Sequence, residues 1–73
     1  MDYLEVTAKF DNTGRIIPLS FIWAGRKINI DKVSDMRPAA SLKQGGKGMR
    51  YTCRTGSTVY YLFCDEQRWF LER

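Results

Sequence analysis

The feature that most constrains this chain is a two-residue turn, Gly56-Ser57, between two runs rich in β-forming residues. A loop of this length is typical of a β-hairpin, and it fixes which residues face each other across the two strands. The predicted pairs are Thr55 with Thr58, Arg54 with Val59, Cys53 with Tyr60, Thr52 with Tyr61, Tyr51 with Leu62, Arg50 with Phe63 and Met49 with Cys64.

A further strand is predicted after a turn at residues 65–68. Trp69-Phe70-Leu71 would pair back onto the hairpin, with Trp69 opposite Cys64. Because alternate residues share a face of a sheet, the predicted core face contains Met49, Tyr51, Leu62, Trp69 and Leu71. A short C-terminal helix capped by Asp65 is the competing interpretation.

The first half of the chain predicts three more strands. Residues 3–10 alternate between apolar and polar types, which indicates a half-buried strand carrying Leu4, Val6, Ala8 and Phe10 on one face. A turn at residues 11–14 leads to the apolar run 16–23, where Pro18 favours an edge strand, a bulge or a later start. After a turn at Ala24-Gly25, a third strand runs through Ile28 and Ile30 and fades near Val33.

Residues 34–48 show no sustained periodicity and contain Pro38 and three glycines. We expect a long basic loop between strands 3 and 4, or a short helical turn at residues 39–43 within it. With 73 residues the chain is a single domain, 1–73. Five or six short antiparallel strands predict an all-β fold, an SH3-like barrel, because closure removes exposed edges. An OB-like barrel is less favoured, since no clear helix separates the strands.

The excess of positive charge is confined to the middle of the chain. The net charge is +4, and residues 26–54 carry eight Lys and Arg against Asp31 and Asp35, which makes +6 for that segment. Such asymmetry favours an anionic partner, with a solvated surface as the alternative.

One face of the predicted hairpin interleaves arginines with aromatic rings, as single-stranded nucleic acid binding requires. This face carries Arg50, Thr52, Arg54, Val59, Tyr61, Phe63 and Phe70. The alternative is that Val59, Phe63 and Phe70 cover a second small core under the long loop. The predicted nucleic-acid-binding residues are Arg26, Lys27, Lys43, Lys47, Arg50, Arg54 and Tyr61.

Catalysis and metal binding have little support. The chain has no histidine, so the commonest general base and metal ligand are missing. The segment Lys43–Gly48 lacks the spacing of a P-loop, since Gly48 stands where Ser or Thr is needed. Cys53 and Cys64 would lie roughly 13 Å apart in the hairpin, too far for a disulfide. Both are interpreted as reduced, buried apolar residues, and no cofactor or metal is expected.

Part of the sequence resembles a known family. Residues spread over about 16–73 carry the likeness: Pro18, Phe21, Trp23, Gly25, Arg26, Ile28, Ile30, Val33, Tyr51, Leu62, Asp65, Trp69, Phe70, Leu71, Glu72 and Arg73. They resemble DUF6504, a small bacterial domain of unknown function that occurs alone or beside Y-family DNA repair polymerases. The resemblance implies a small β domain with a role near DNA and assigns no functional residue. This chain departs from it in a short glycine-lysine loop where relatives carry a longer, tryptophan-containing segment.

We therefore expect a non-catalytic binding module, associated with nucleic acid through segment 26–54. The alternative is a protein-protein interaction module that docks through an exposed aromatic face or a sheet edge. It would be a monomer, or a homodimer through an edge strand. The absence of a basic leader or a long apolar run, and the reduced cysteines, indicate a cytoplasmic protein without a membrane partner.

Overall fold

The computed structural model describes residues 3–40, 47–66 and 68–72, and these form two antiparallel sheets. The seven strands are β1 (Val6–Phe10), β2 (Ile16–Trp23), β3 (Arg26–Asn29), β4 (Lys32–Ala40), β5 (Lys47–Thr55), β6 (Thr58–Asp65) and β7 (Arg68–Glu72). One sheet has the order β1-β2-β3 and the other β4-β5-β6-β7. The all-β prediction is confirmed, and the predicted number of five or six strands is too low.

The Gly56-Ser57 hairpin has the predicted register at all seven pairs, and Gly56 has the positive φ (60°) that tight hairpin turns favour. The last strand also pairs as predicted, with Trp69 opposite Cys64 and Leu71 opposite Leu62. The competing C-terminal helix is therefore wrong.

The predicted long loop between strands 3 and 4 is wrong over most of its length. Residues 32–40 form β4, which pairs with β5. The pairing begins with Lys32 opposite Arg54, ends with Ala40 opposite Lys47 and has a bulge between Val33 and Asp35. Its side chains are exposed or half-buried throughout, because β4 is an edge strand. An edge position also tolerates Pro38. The alternative prediction was a short helical turn at residues 39–43. Residues 39 and 40 belong to β4 instead, and residues 41–43 lie outside the described residues.

In the three-stranded sheet, Pro18 lies inside β2 at a β-bulge, which was one of the three predicted alternatives. Ala8 pairs with Pro18 and Thr7 with Ser20, so Leu19 is the extra residue of a bulge. The bulge interrupts the alternation of β2, in which Pro18, Ser20 and Phe21 are all buried. The predicted buried face of β1 ends early, since Ala8 and Phe10 are exposed, Phe10 to 71%.

The inner faces of the two sheets form the core. Its buried members are Phe21, Tyr51, Cys53, Leu62, Cys64, Trp69 and Leu71. The predicted core face is confirmed, with Met49 only partly buried. Aromatic contacts bridge the layers: Phe21 meets Tyr60 edge to face, with ring centroids 5.2 Å apart. The Tyr51 hydroxyl donates to the Ile16 carbonyl oxygen at 2.5 Å.

The described strands do not form a closed barrel. One isolated bridge, between Leu4 and Trp69, joins the two sheets along a line that we call the seam. At the opposite side the chain turns a corner from β3 to β4, which the hairpin holds in place. There the Asp31 amide donates to the Arg54 carbonyl oxygen (2.8 Å), and the Gly56 amide donates to the Asp31 carboxylate (2.7 Å). Among the described residues there is no helix long and apolar enough to cross a membrane.

Candidate nucleic-acid interface

The four-stranded sheet has an outer face that points away from the core, and its pairing arranges the side chains in rows. One row is Lys32–Arg54–Val59, the next Asp35–Thr52–Tyr61–Glu72, and the third Arg37–Arg50–Phe63–Phe70. We call this set of residues the outer face. It therefore places four cations and one half-exposed tyrosine on the same side of a rigid sheet.

Tyr61 is the aromatic residue that the outer face presents to solvent, with 40% of its surface exposed. The guanidinium carbon of Arg50 lies 5.4 Å from the centroid of the Tyr61 ring, a cation-π distance. Arg54 is exposed two residues further along β5. The predicted grouping of Arg50, Arg54 and Tyr61 on one face is thus confirmed.

Phe63 and Phe70 are buried, as in the alternative prediction of a second small core, but residues 34–40 of the loop that was predicted to cover it belong to strand β4 of the same sheet. The Tyr3 ring packs on Phe70, with centroids 5.0 Å apart. Arg68 holds Tyr3, since its Nη1 donates to the Tyr3 hydroxyl at 3.1 Å. Val59, which that alternative also included, is exposed instead.

The remaining predicted residues are spread over other surfaces. Arg26 and Lys27 lie on β3 of the other sheet, opposite Trp23 and Ile22, and so point to opposite faces of it. Lys47 lies at the end of β5, opposite Ala40, on the side of Met49 rather than that of Arg50. Lys43 lies outside the described residues.

The sequence prediction missed two cations of the outer face, Lys32 and Arg37. Both lie on β4, where the sequence showed no sustained alternation, so their shared direction could not be inferred. The charge count of segment 26–54 was the only signal that included them. Arg37 Nε contacts an Asp35 carboxylate oxygen at 2.7 Å, and this hydrogen bond lowers the pKa of Asp35.

The two cysteines belong to the core rather than to the outer face. Cys53 and Cys64 are buried, as predicted, and burial raises the pKa of Cys53 to about 11. Within residues 3–40, 47–66 and 68–72, no three His, Cys, Asp or Glu side chains cluster in a way that could hold a metal ion.

Comparison with known proteins identifies no relative. No family model matches the chain, no curated protein matches it, and no solved structure matches it. The resemblance to DUF6504 therefore stays a prediction from the sequence.

Proposed function

We propose that this protein is a non-catalytic module that binds single-stranded nucleic acid across the outer face. The observation that carries the proposal is the cation-π pair of Arg50 and Tyr61, flanked on the same face by Lys32, Arg37 and Arg54. The cations would contact phosphates, and the exposed tyrosine ring would stack on a base.

The charge balance of the outer face supports this proposal. Four cations share it with two carboxylates, of which Asp35 is paired with Arg37 and Glu72 is buried. Lys32 and Arg54 are therefore exposed cations in the same row as Val59, beside the row of Tyr61. This spacing suits a backbone that crosses the strands while one base reaches the ring.

We further propose that the two sheets constitute an SH3-like barrel that is incompletely closed at the seam. The bridge between Leu4 and Trp69 and the continuous chain at the β3–β4 corner support this arrangement. We also propose a cytoplasmic location, which two buried cysteines acting as apolar core residues would fit. Membership of DUF6504, with its implied role near DNA, would fit the same function.

The test is the salt dependence of binding to a labelled oligothymidylate, followed by fluorescence anisotropy between about 50 and 200 mM salt. In the variant K32A/R54A we expect the log–log salt slope to fall by about 1.4, since each lost phosphate contact on a single strand contributes roughly 0.7. In Tyr61→Ala we expect a loss of about 1–3 kcal/mol with an unchanged slope.

The matched control is K9A/K27A, which removes two exposed positive charges from the three-stranded sheet. It should weaken binding less than K32A/R54A does. Equal losses in the two double variants would show a nonspecific charge effect, and no binding at low salt would end the proposal.

A second candidate function, protein-protein interaction, is favoured by the exposed apolar side chains of the three-stranded sheet. Phe10, Leu19, Ile22 and Trp23 are all exposed there. A partner protein, or a second copy docked on the three-stranded sheet beside its edge strand β3, would cover them. Association of this kind would tolerate salt, so sedimentation velocity in the same salt series separates it from nucleic-acid binding.

A further inference from the structure

A pocket of about 330 Å³ opens where the end of β7 meets β2 and β6. It is lined by Trp23, Val59, Tyr60, Tyr61, Leu71 and Glu72. Three of these six side chains are aromatic, and one carries a carboxylate. The volume is in the range of small-ligand sites.

Glu72 is the unexpected member of this lining. Its residue surface is only 3% exposed, and neither carboxylate oxygen has a hydrogen-bond partner among the residues that the structure describes. An ionised carboxylate buried without a partner is costly, and such groups are normally paired or bound to a cation. The Glu72 carboxylate is thus a polar group of the pocket lining that no described residue satisfies by a hydrogen bond.

Tyr61 lines this pocket and also makes the cation-π contact with Arg50, which is not part of the lining. Arg50 pairs with Phe63, so it approaches Tyr61 from the Phe63 side. Val59, which lines the pocket, flanks Tyr61 on the other side along β6. The pocket therefore adjoins Tyr61 on the side away from Arg50.

We propose that this pocket binds an organic ammonium cation, an alkylated ammonium group held by the aromatic rings and by Glu72. Aromatic rings attract such cations through their negative faces, and quaternary ammonium groups are recognised in this way by aromatic cages. A hard metal ion fits poorly, since Ca²⁺ and Mg²⁺ need several oxygen ligands and Glu72 provides the only carboxylate of the lining. The pocket shares Val59, Tyr61 and Glu72 with the outer face. It goes beyond the proposed function because its ligand is a cation, whereas the cations of the outer face would bind an anion.

The experiment is an NMR titration of the labelled protein with choline and with 3,3-dimethylbutan-1-ol, the neutral compound of the same shape. We expect choline to shift the signals of Trp23, Val59 and Tyr61, and the alcohol to bind at least about tenfold more weakly. A peptide with trimethyllysine is titrated beside its unmodified form. If the trimethyllysine peptide binds more tightly than choline, the natural ligand is a modified protein side chain. If choline binds more tightly than the peptide, the natural ligand is a free metabolite.

The decisive variant is Glu72→Gln, which keeps the shape and removes the charge. We expect choline affinity to fall about tenfold or more in it, while Glu5→Gln, which removes an exposed carboxylate, leaves affinity unchanged. Tyr61→Leu provides a second test if Glu72→Gln does not fold. Equal binding of choline and the alcohol, or full choline affinity in a folded Glu72→Gln, would overturn the proposal. Choline binding should be unchanged in K32A/R54A, so the pocket and the outer face can fail separately.

Discussion

Two side chains of β5 show how burial changes the chemistry of a small core. Tyr51 stacks against Trp69, with ring centroids 5.2 Å apart, and its hydroxyl reaches β2 of the other sheet. Burial raises the pKa of Tyr51 to about 12 and that of Cys53 to about 11. Both groups are therefore kept neutral in the folded protein well above the pH at which the unfolded chain ionises.

These shifts predict a loss of stability in alkali. Cys53 has an ordinary pKa of 9.0 and a folded pKa of about 11, so between these values the unfolded state binds fewer protons and stability falls as pH rises. The group's contribution is complete below pH 9 and falls by up to about 2 kcal/mol by pH 11. Urea unfolding from pH 8 to 11 should show a shallower decline in Cys53→Ala, whereas Phe10→Ala should follow the wild-type slope. A parallel decline in Cys53→Ala would exclude this cause.

The burial of the two cysteines was predictable at this scale, because the hairpin register alone places Cys53 on the Tyr51 face. The burial of the Glu72 carboxylate, by contrast, could not be predicted from the sequence. A glutamate at the end of an apolar strand is normally solvated, and its burial depends on residues such as Trp23 and Tyr60 that come from distant parts of the sequence.

Among the strands, those joined by short turns were predictable and those positioned by distant contacts were not. The two-residue turn fixes the pairing of β5 with β6. The separation of β3 from β4 depends on long-range hydrogen bonds, such as that of the Thr55 hydroxyl to the Asn29 carbonyl oxygen at 2.8 Å. Because β4 is an edge strand with no fully buried face, it also lacks the alternation that identifies a strand in sequence.

Two glycines of the β5–β6 hairpin are required for different reasons, which predicts opposite tolerance to asparagine. A Cβ at Gly48 would collide with the Cys64 carbonyl oxygen, whereas Gly56 has open space but a φ of +60°. Asparagine adopts positive φ readily, so Gly56→Asn should cost less than about 1 kcal/mol. Gly48→Asn should cost about 1–3 kcal/mol or prevent folding. Thermal unfolding of both variants measures this difference, and similar losses would contradict the steric explanation.

Across the whole molecule, the sequence predicted one core and one domain but not how the sheets meet. Small barrels close by pairing of their first and last strands, and the number of short strands in the sequence predicted a barrel closed in this way. In the structure, the described strands pair within two separate sheets, and the isolated bridge between Leu4 and Trp69 joins these sheets at the seam. A register between strands so distant in sequence has no local signal, so it could not be read from periodicity.

The seam predicts an unequal importance of two exposed aromatic residues. Tyr3 covers Phe70 across it, while Phe10 extends beyond the core. Tyr3→Ala should destabilise the protein by about 1 kcal/mol through the lost ring pair, and Phe10→Ala by less than about 0.5 kcal/mol. Tyr3→Phe should lie between wild type and Tyr3→Ala, since it keeps the ring and loses the bond from Arg68. Chemical denaturation ranks the three variants, and a larger effect at Phe10 would refute the role of the seam.

The same seam has a consequence for how the protein is made. Leu4 leaves a translating ribosome well before its partner Trp69. The three-stranded sheet can pair early, but its junction with β7 must wait until β7 has also emerged. Until then Tyr3 has no Phe70 ring to pack against, and the nascent chain presents an uncovered aromatic surface to the helper proteins that receive it.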